Sequence, residues 1–161
     1  VLGGGQARER RSGTQNVAGI VAMAAAASLT VAERAEAVER VRKLRDRLAE
    51  GLVASVDGIV ETGGVLDPAR RAAGICHVCI EGVESEALLY LLESKGVYAS
   101  AASSCASGAM EPSHVLEAMG VDPKLAKGSL RLSLGYETTD ADIDRALDAI
   151  PAAVERLRLF S

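Results

Sequence analysis

The chain is 161 residues long and 48% hydrophobic, enough to bury a core as one domain or as one domain with an appendage. Its 18 basic and 22 acidic residues give a net charge of -4, the two signs interleave from Glu33 to Arg47, and aromatics make up 2% with no Trp, so neither a positive field nor stacking platforms favour nucleic acid. Three irregularly spaced cysteines exclude a disulfide framework, and the apolar run Val17 to Leu29 is too short to span a bilayer, so a soluble cytoplasmic protein is expected.

Val1 to Asn16 is a Gly/Arg/Ser/Thr loop: Gly3-Gly4-Gly5-Gln6, then Arg8, Arg10, Arg11, Ser12, Gly13 and Thr14. Glycines let backbone N–H groups turn toward an anion, the side chains add donors, and a helix follows near Asn16, which is the chemistry of a phosphate cradle. A solvent-exposed tail accounts for the same residues equally well. The chain starts at Val1 within this turn, and its true N-terminus is expected upstream.

Thr30-Val31-Ala32-Glu33 has the form of a capping box, which predicts a new helix from Thr30 to about Val53. Val38, Val41, Leu44, Leu48 and Leu52 recur at helical spacing and predict one buried stripe. Thr30 is therefore the expected boundary between a leading helix and a compact domain. Strands are predicted at Gly58 to Glu61 and Ile75 to Ile80. A helix from Ser85 to Ser94 follows, with Leu88, Leu89, Leu91 and Leu92 facing the core, and Gly96 stops it. Val97 to Ala99 reads as a short strand leading into a segment of small residues around Cys105. With no bulky partners to bury it, Cys105 reads as an exposed loop thiol, placed to react.

Ser113 to Met119 is predicted as a short helix closed by Gly120. Leu130 to Leu134 alternates strictly, so Arg131 and Ser133 share the face opposite the leucines. Thr139 with Asp142 caps a last helix, which Pro151 should bend or restart. This order of elements predicts an α+β fold, a two-layer domain with a small, mainly antiparallel sheet packed on helices.

Cys76-His77-Val78-Cys79 invites a zinc reading, but residues three apart on a strand face opposite ways and no second ligand pair follows. Core or half-buried strand residues are expected there, no metal site is expected, and His114 reads as a helix-surface or packing residue.

Gly3-Gly4-Gly5-Gln6, Arg11-Ser12-Gly13-Thr14 with Asn16, the Ser-rich loop through Cys105, Glu111-Pro112-Ser113-His114-Val115-Leu116 and Ser129-Leu130-Arg131-Leu132-Ser133-Leu134-Gly135 occur together in this order. In that set the chain resembles the cysteine desulfurases of the NifS/IscS type, within the class-V aminotransferases. Ala7, Glu9 and Ala102 depart from the family pattern. The resemblance implies an enzyme of aminotransferase fold type I that uses pyridoxal 5'-phosphate to convert L-cysteine to L-alanine, leaving a persulfide on a cysteine. By motif position Cys105 would be that catalytic nucleophile, Arg131 would bind the substrate carboxylate, and Thr14 would reach the cofactor phosphate of the neighbouring subunit in a homodimer. An iron–sulfur scaffold protein, a tRNA-thiolation route or another sulfur acceptor would take the sulfur. Residues 1–30 would then be a remnant of the large cofactor-binding domain with its connecting helix, and 31–161 the C-terminal small domain carrying the cysteine loop. The lysine that anchors the cofactor belongs to a motif that none of Lys43, Lys95, Lys124 or Lys127 matches, so this chain alone is expected to be inactive. The alternatives are a non-catalytic module that presents Cys105 and docks a scaffold or sulfur acceptor, or a selenocysteine lyase of the same family.

Overall fold

A computed structural model describes residues 3–63, 71–101 and 113–160. The chain divides into two units, Val1–Glu36 and Ala37–Ser161.

The first unit holds the glycine-rich loop and the start of helix α1, Val17–Ser55. Asn16 caps that helix, its side-chain oxygen accepting from the Gly19 N–H at 3.0 Å. The helix expected to begin at Thr30 does not; α1 runs through that position without a break. Thr30 donates its hydroxyl to the Ala26 carbonyl at 2.8 Å, the bond of a mid-helix residue. From Ile20 to Glu50 there is no Gly or Pro and much Ala, Glu and Arg, so each backbone N–H already has a helical acceptor and none is left for a cap. Val17, Ile20, Val21, Met23, Leu29 and Val31 are exposed. By length and composition alone α1 is long and apolar enough to cross a membrane.

In the second unit the stripe of α1 is buried at Val41, Leu44, Leu48 and Leu52, whereas Val38 is exposed. Strands β1 (Ile59–Glu61), β2 (Ile75–Ile80) and β3 (Ser129–Ser133) form an antiparallel sheet in the order β1-β2-β3. Alternation sends Cys76, Val78, Ile80, Leu130 and Leu132 into the core. There they meet α1, Leu88 and Leu92 of α2 (Ser85–Glu93), and Ile143, Ile150 and Val154 of α5 (Asp140–Arg158). The opposite face carries Cys79, His77 and Arg131. Helices α3 (His114–Ala118) and α4 (Pro123–Ala126) cover its Cys79 end with Leu116 and Ala126. The α+β architecture with a small antiparallel sheet is the expected one.

Three local expectations change. Val97 to Ala99 forms no strand; contact with the sheet is a single bridge one residue later, between Ser100 and Arg131. The short α4 was not anticipated, although Asp122 as N-cap, accepting from the Lys124 N–H at 2.7 Å, and Pro123 at the first helical position are ordinary start signals. The capping box of Thr139 and Asp142 forms, but α5 continues through Pro151. Burial of Ile150, Ala153 and Val154 on both sides of the proline holds the helix together there, at the cost of one backbone hydrogen bond.

Gly128 sets the entry to β3. Its carbonyl accepts from the Ile80 N–H at 3.0 Å, and a Cβ at this position would lie 1.9 Å from the Ile80 carbonyl oxygen. Gly128→Ala is expected to destabilise the protein by about 2 to 3 kcal/mol, because backbone must shift to admit the methyl group. Gly135→Ala, with nothing within 4 Å of the added carbon, should cost less than about 0.5 kcal/mol. Urea unfolding of the two variants side by side checks the contrast.

Candidate functional site

The sheet register assembles a row of polar residues that are distant in sequence. In the β2–β3 ladder His77 is directly opposite Arg131, and directly opposed residues of antiparallel strands project from the same face. Thr62 continues the register of β1, its N–H donating to the His77 carbonyl at 3.0 Å. On the far side, Ser100 and Arg131 exchange both backbone hydrogen bonds, at 3.0 and 2.8 Å. The row is therefore Thr62, His77, Arg131, Ser100.

Arg131 is exposed, as its alternation with Leu130 and Leu132 predicts, and forms no ion pair with any described residue. The acidic groups nearest in the sheet are turned the other way. Glu61, next to Thr62, pairs with Arg45, which is 1% exposed, and with Arg71. His77 is half-buried, and its Nδ1 lies 2.6 Å from the Thr62 hydroxyl oxygen. Burial, and then the adjacent Arg131 cation, hold its pKa below the usual imidazole value, so the ring is neutral at pH 7. The result is a guanidinium that has neutral polar neighbours and no acidic partner among the described residues, a planar donor fork matched to a carboxylate.

Ser100 precedes segment 102–112, which carries Cys105 and lies outside the described residues. The chain thus leaves the sheet beside Arg131 shortly before the cysteine. Thr62 and Ser100 were not picked out from the sequence, and His77 was weighed only within the Cys76–Cys79 segment, because membership of the row follows from pairing register, which no local pattern contains.

Cys76 and Cys79 are both fully buried, Cys76 in the main core and Cys79 under α3 and α4. Burial, followed by the Glu61 charge, pushes the Cys76 thiol up to about 12, and burial pushes Cys79 up to about 11, so both stay protonated and unreactive. No group of metal-binding side chains occurs among the described residues. His114 is exposed on α3.

In the first unit Thr14 is exposed, beside a turn closed by two hydrogen bonds. The Gly13 N–H donates to Gln6 Oε1 at 3.1 Å, and Arg11 Nη1 donates to the Gly13 carbonyl at 2.8 Å. Ala7, Arg8 and Glu9 all take left-handed backbone angles, with φ of 51°, 58° and 63°. For residues with a Cβ this costs roughly 1–2 kcal/mol each, and such strain clusters at ligand-holding turns. An exposed threonine hydroxyl with the exposed cations Arg8, Arg10 and Arg11 is a donor set that fits a phosphate group.

Residues 4–146 match the family model described as aminotransferase class-V. An IscS-like cysteine desulfurase of Mycobacterium tuberculosis is 49% identical over 156 residues, 97% of this chain and 39% of that protein. The cysteine desulfurase IscS of Methanosarcina thermophila is 47% identical over 159 residues, 99% of this chain and 38% of that protein. Among solved structures, a NifS-like protein superposes with a TM-score of 0.77 at 33% identity, covering 97% of this chain and 38% of its own. A NifS-like protein from Rickettsia africae gives 0.76 at 26% identity, covering 96% and 39%. The chain spans about two fifths of the length of these relatives.

Proposed function

Because this chain belongs to the class-V aminotransferase family, we propose that it serves as the C-terminal part of a cysteine desulfurase of the NifS/IscS type, acting on L-cysteine. The observation that carries the reading is Arg131: an exposed guanidinium without an ion pair among the described residues, held by β3 between His77 and Ser100, of which Ser100 comes just before the segment that carries Cys105. Relatives named cysteine desulfurase align over nearly the whole chain.

In this reading Arg131 binds the carboxylate of L-cysteine through paired hydrogen bonds and fixes the orientation of the amino acid. The Cys105 thiolate attacks the substrate sulfur and the substrate carbon–sulfur bond breaks; its electron pair stays with the substrate carbon, which takes up a proton and leaves as L-alanine, while the sulfur stays on Cys105 as a persulfide. Pyridoxal 5'-phosphate, when bound, supplies the electron withdrawal that makes that carbon–sulfur bond labile. Thr14, with the arginines of its loop, holds the cofactor phosphate of the neighbouring subunit of a homodimer. Residues 1–30 belong to the large domain and 31–161 to the small domain. The apolar residues of α1 from Val17 to Val31 are covered by protein, not lipid, and the enzyme works in the cytoplasm. An iron–sulfur scaffold or another sulfur-acceptor protein receives the persulfide sulfur.

The complete polypeptide, incubated with pyridoxal phosphate and L-cysteine, is expected to release alanine and to gain protein-bound sulfane sulfur in equal amounts during the first turnover. The 161-residue chain by itself should release none, since it has no lysine in the cofactor-anchoring motif. Alanine formation without sulfur on the protein, or turnover by the chain alone, would contradict the reading.

A further inference from the structure

We propose that His77, held at Nδ1 by Thr62, is a positioning residue for Arg131 that steadies the guanidinium in the orientation that receives the substrate carboxylate. The proposal rests on the desulfurase reading above.

In this proposal His77 takes the tautomer that carries its proton on Nδ1. In that tautomer the 2.6 Å contact runs from the Nδ1–H of His77 to the Thr62 oxygen, and the Thr62 hydroxyl has the His77 carbonyl, at 3.3 Å, as its own acceptor. Nε2 then keeps its lone pair, on the ring edge away from Thr62, and Arg131 is the next residue along the row. Arginine has donors only, so an acceptor beside it restricts the guanidinium. A carboxylate in the same place would also restrict it but would neutralise it and compete with the substrate. A neutral imidazole orients the fork and leaves the full charge for the ligand.

The other charged groups on elements around β2 are paired elsewhere or exposed. Glu61 of β1 is engaged with Arg45 and Arg71. On α3 and α4, over the Cys79 end of the sheet, His114, Glu117 and Lys124 are exposed. Among the described residues, Arg131 is the charge that perturbs His77.

Three variants of the complete polypeptide test this. His77→Ala is expected to raise KM for L-cysteine about tenfold while kcat falls less, because binding geometry and not chemistry is lost. His77→Gln, whose amide oxygen reaches about as far as Nε2, should recover most of that rise, and Thr62→Val should fall between wild type and His77→Ala. Independently, the titration midpoint of His77 followed by NMR should move up in Arg131→Gln, since the adjacent cation is gone. A KM unchanged in His77→Ala, or a His77→Gln no better than alanine, overturns the positioning role; so does a His77 midpoint indifferent to Arg131→Gln. Absence of L-cysteine turnover in the wild type, with the His77–Arg131 titration coupling intact, instead locates the failure in the desulfurase reading.

Discussion

Cys105→Ser in the complete polypeptide is expected to eliminate persulfide formation and sulfur transfer while leaving cofactor binding intact. A serine hydroxyl is the wrong nucleophile for sulfur: it is not ionised near pH 7, and sulfane transfer needs a thiolate. The other two cysteines cannot substitute, because their thiols are buried and pushed up to about 12 for Cys76 and about 11 for Cys79. Iodoacetamide on the native protein at pH 8 should therefore modify Cys105 and spare Cys76 and Cys79, with both becoming reactive only after unfolding. If the mutant instead lost the absorbance of the bound cofactor, Cys105 would be a structural residue and the nucleophile would have to be sought elsewhere.

Arg131→Ala is the second large effect. Loss of a charged, paired hydrogen bond to the substrate should cost about 1.5 to 3 kcal/mol, a fall in kcat/KM of roughly 10- to 150-fold. Since Arg131 makes no ion pair with the described residues, its removal leaves no acid unpaired and should change the melting temperature little. Arg131→Lys should restore only part of the activity, because an ammonium cannot reproduce the planar fork. Unchanged kinetics with a lowered melting temperature would make Arg131 a structural residue and remove the substrate clamp from the mechanism. Arg45 provides the contrast: 1% exposed and paired with Asp46 and Glu61, it is a structural cation, and its loss should show as instability.

Local chemistry wrote several features into the sequence in readable form. The alternation of Leu130 to Leu134 placed Arg131 on the outer face, and the three-residue spacing of Cys76 and Cys79 put them on opposite faces and excluded a shared metal. Thr139 and Asp142 marked the start of α5, and five motifs in order, from the glycine-rich loop to the Arg131 strand, pointed to the family. Each depends on a few consecutive residues and on a period of 2 or 3.6. Other features depended on what lies across space. Thr30 had the side chains of a cap but sat where every backbone N–H was already bonded, so it became part of a longer helix. Pro151 was carried through by burial on either side of it. The row from Thr62 through His77 and Arg131 to Ser100 came from the offset at which separate chain segments pair, and a shift of one residue would have turned His77 to the other face. Identity and period are local properties of a chain, whereas register and burial belong to the packed whole; hence the arginine was legible in the sequence and the histidine that orients it was not.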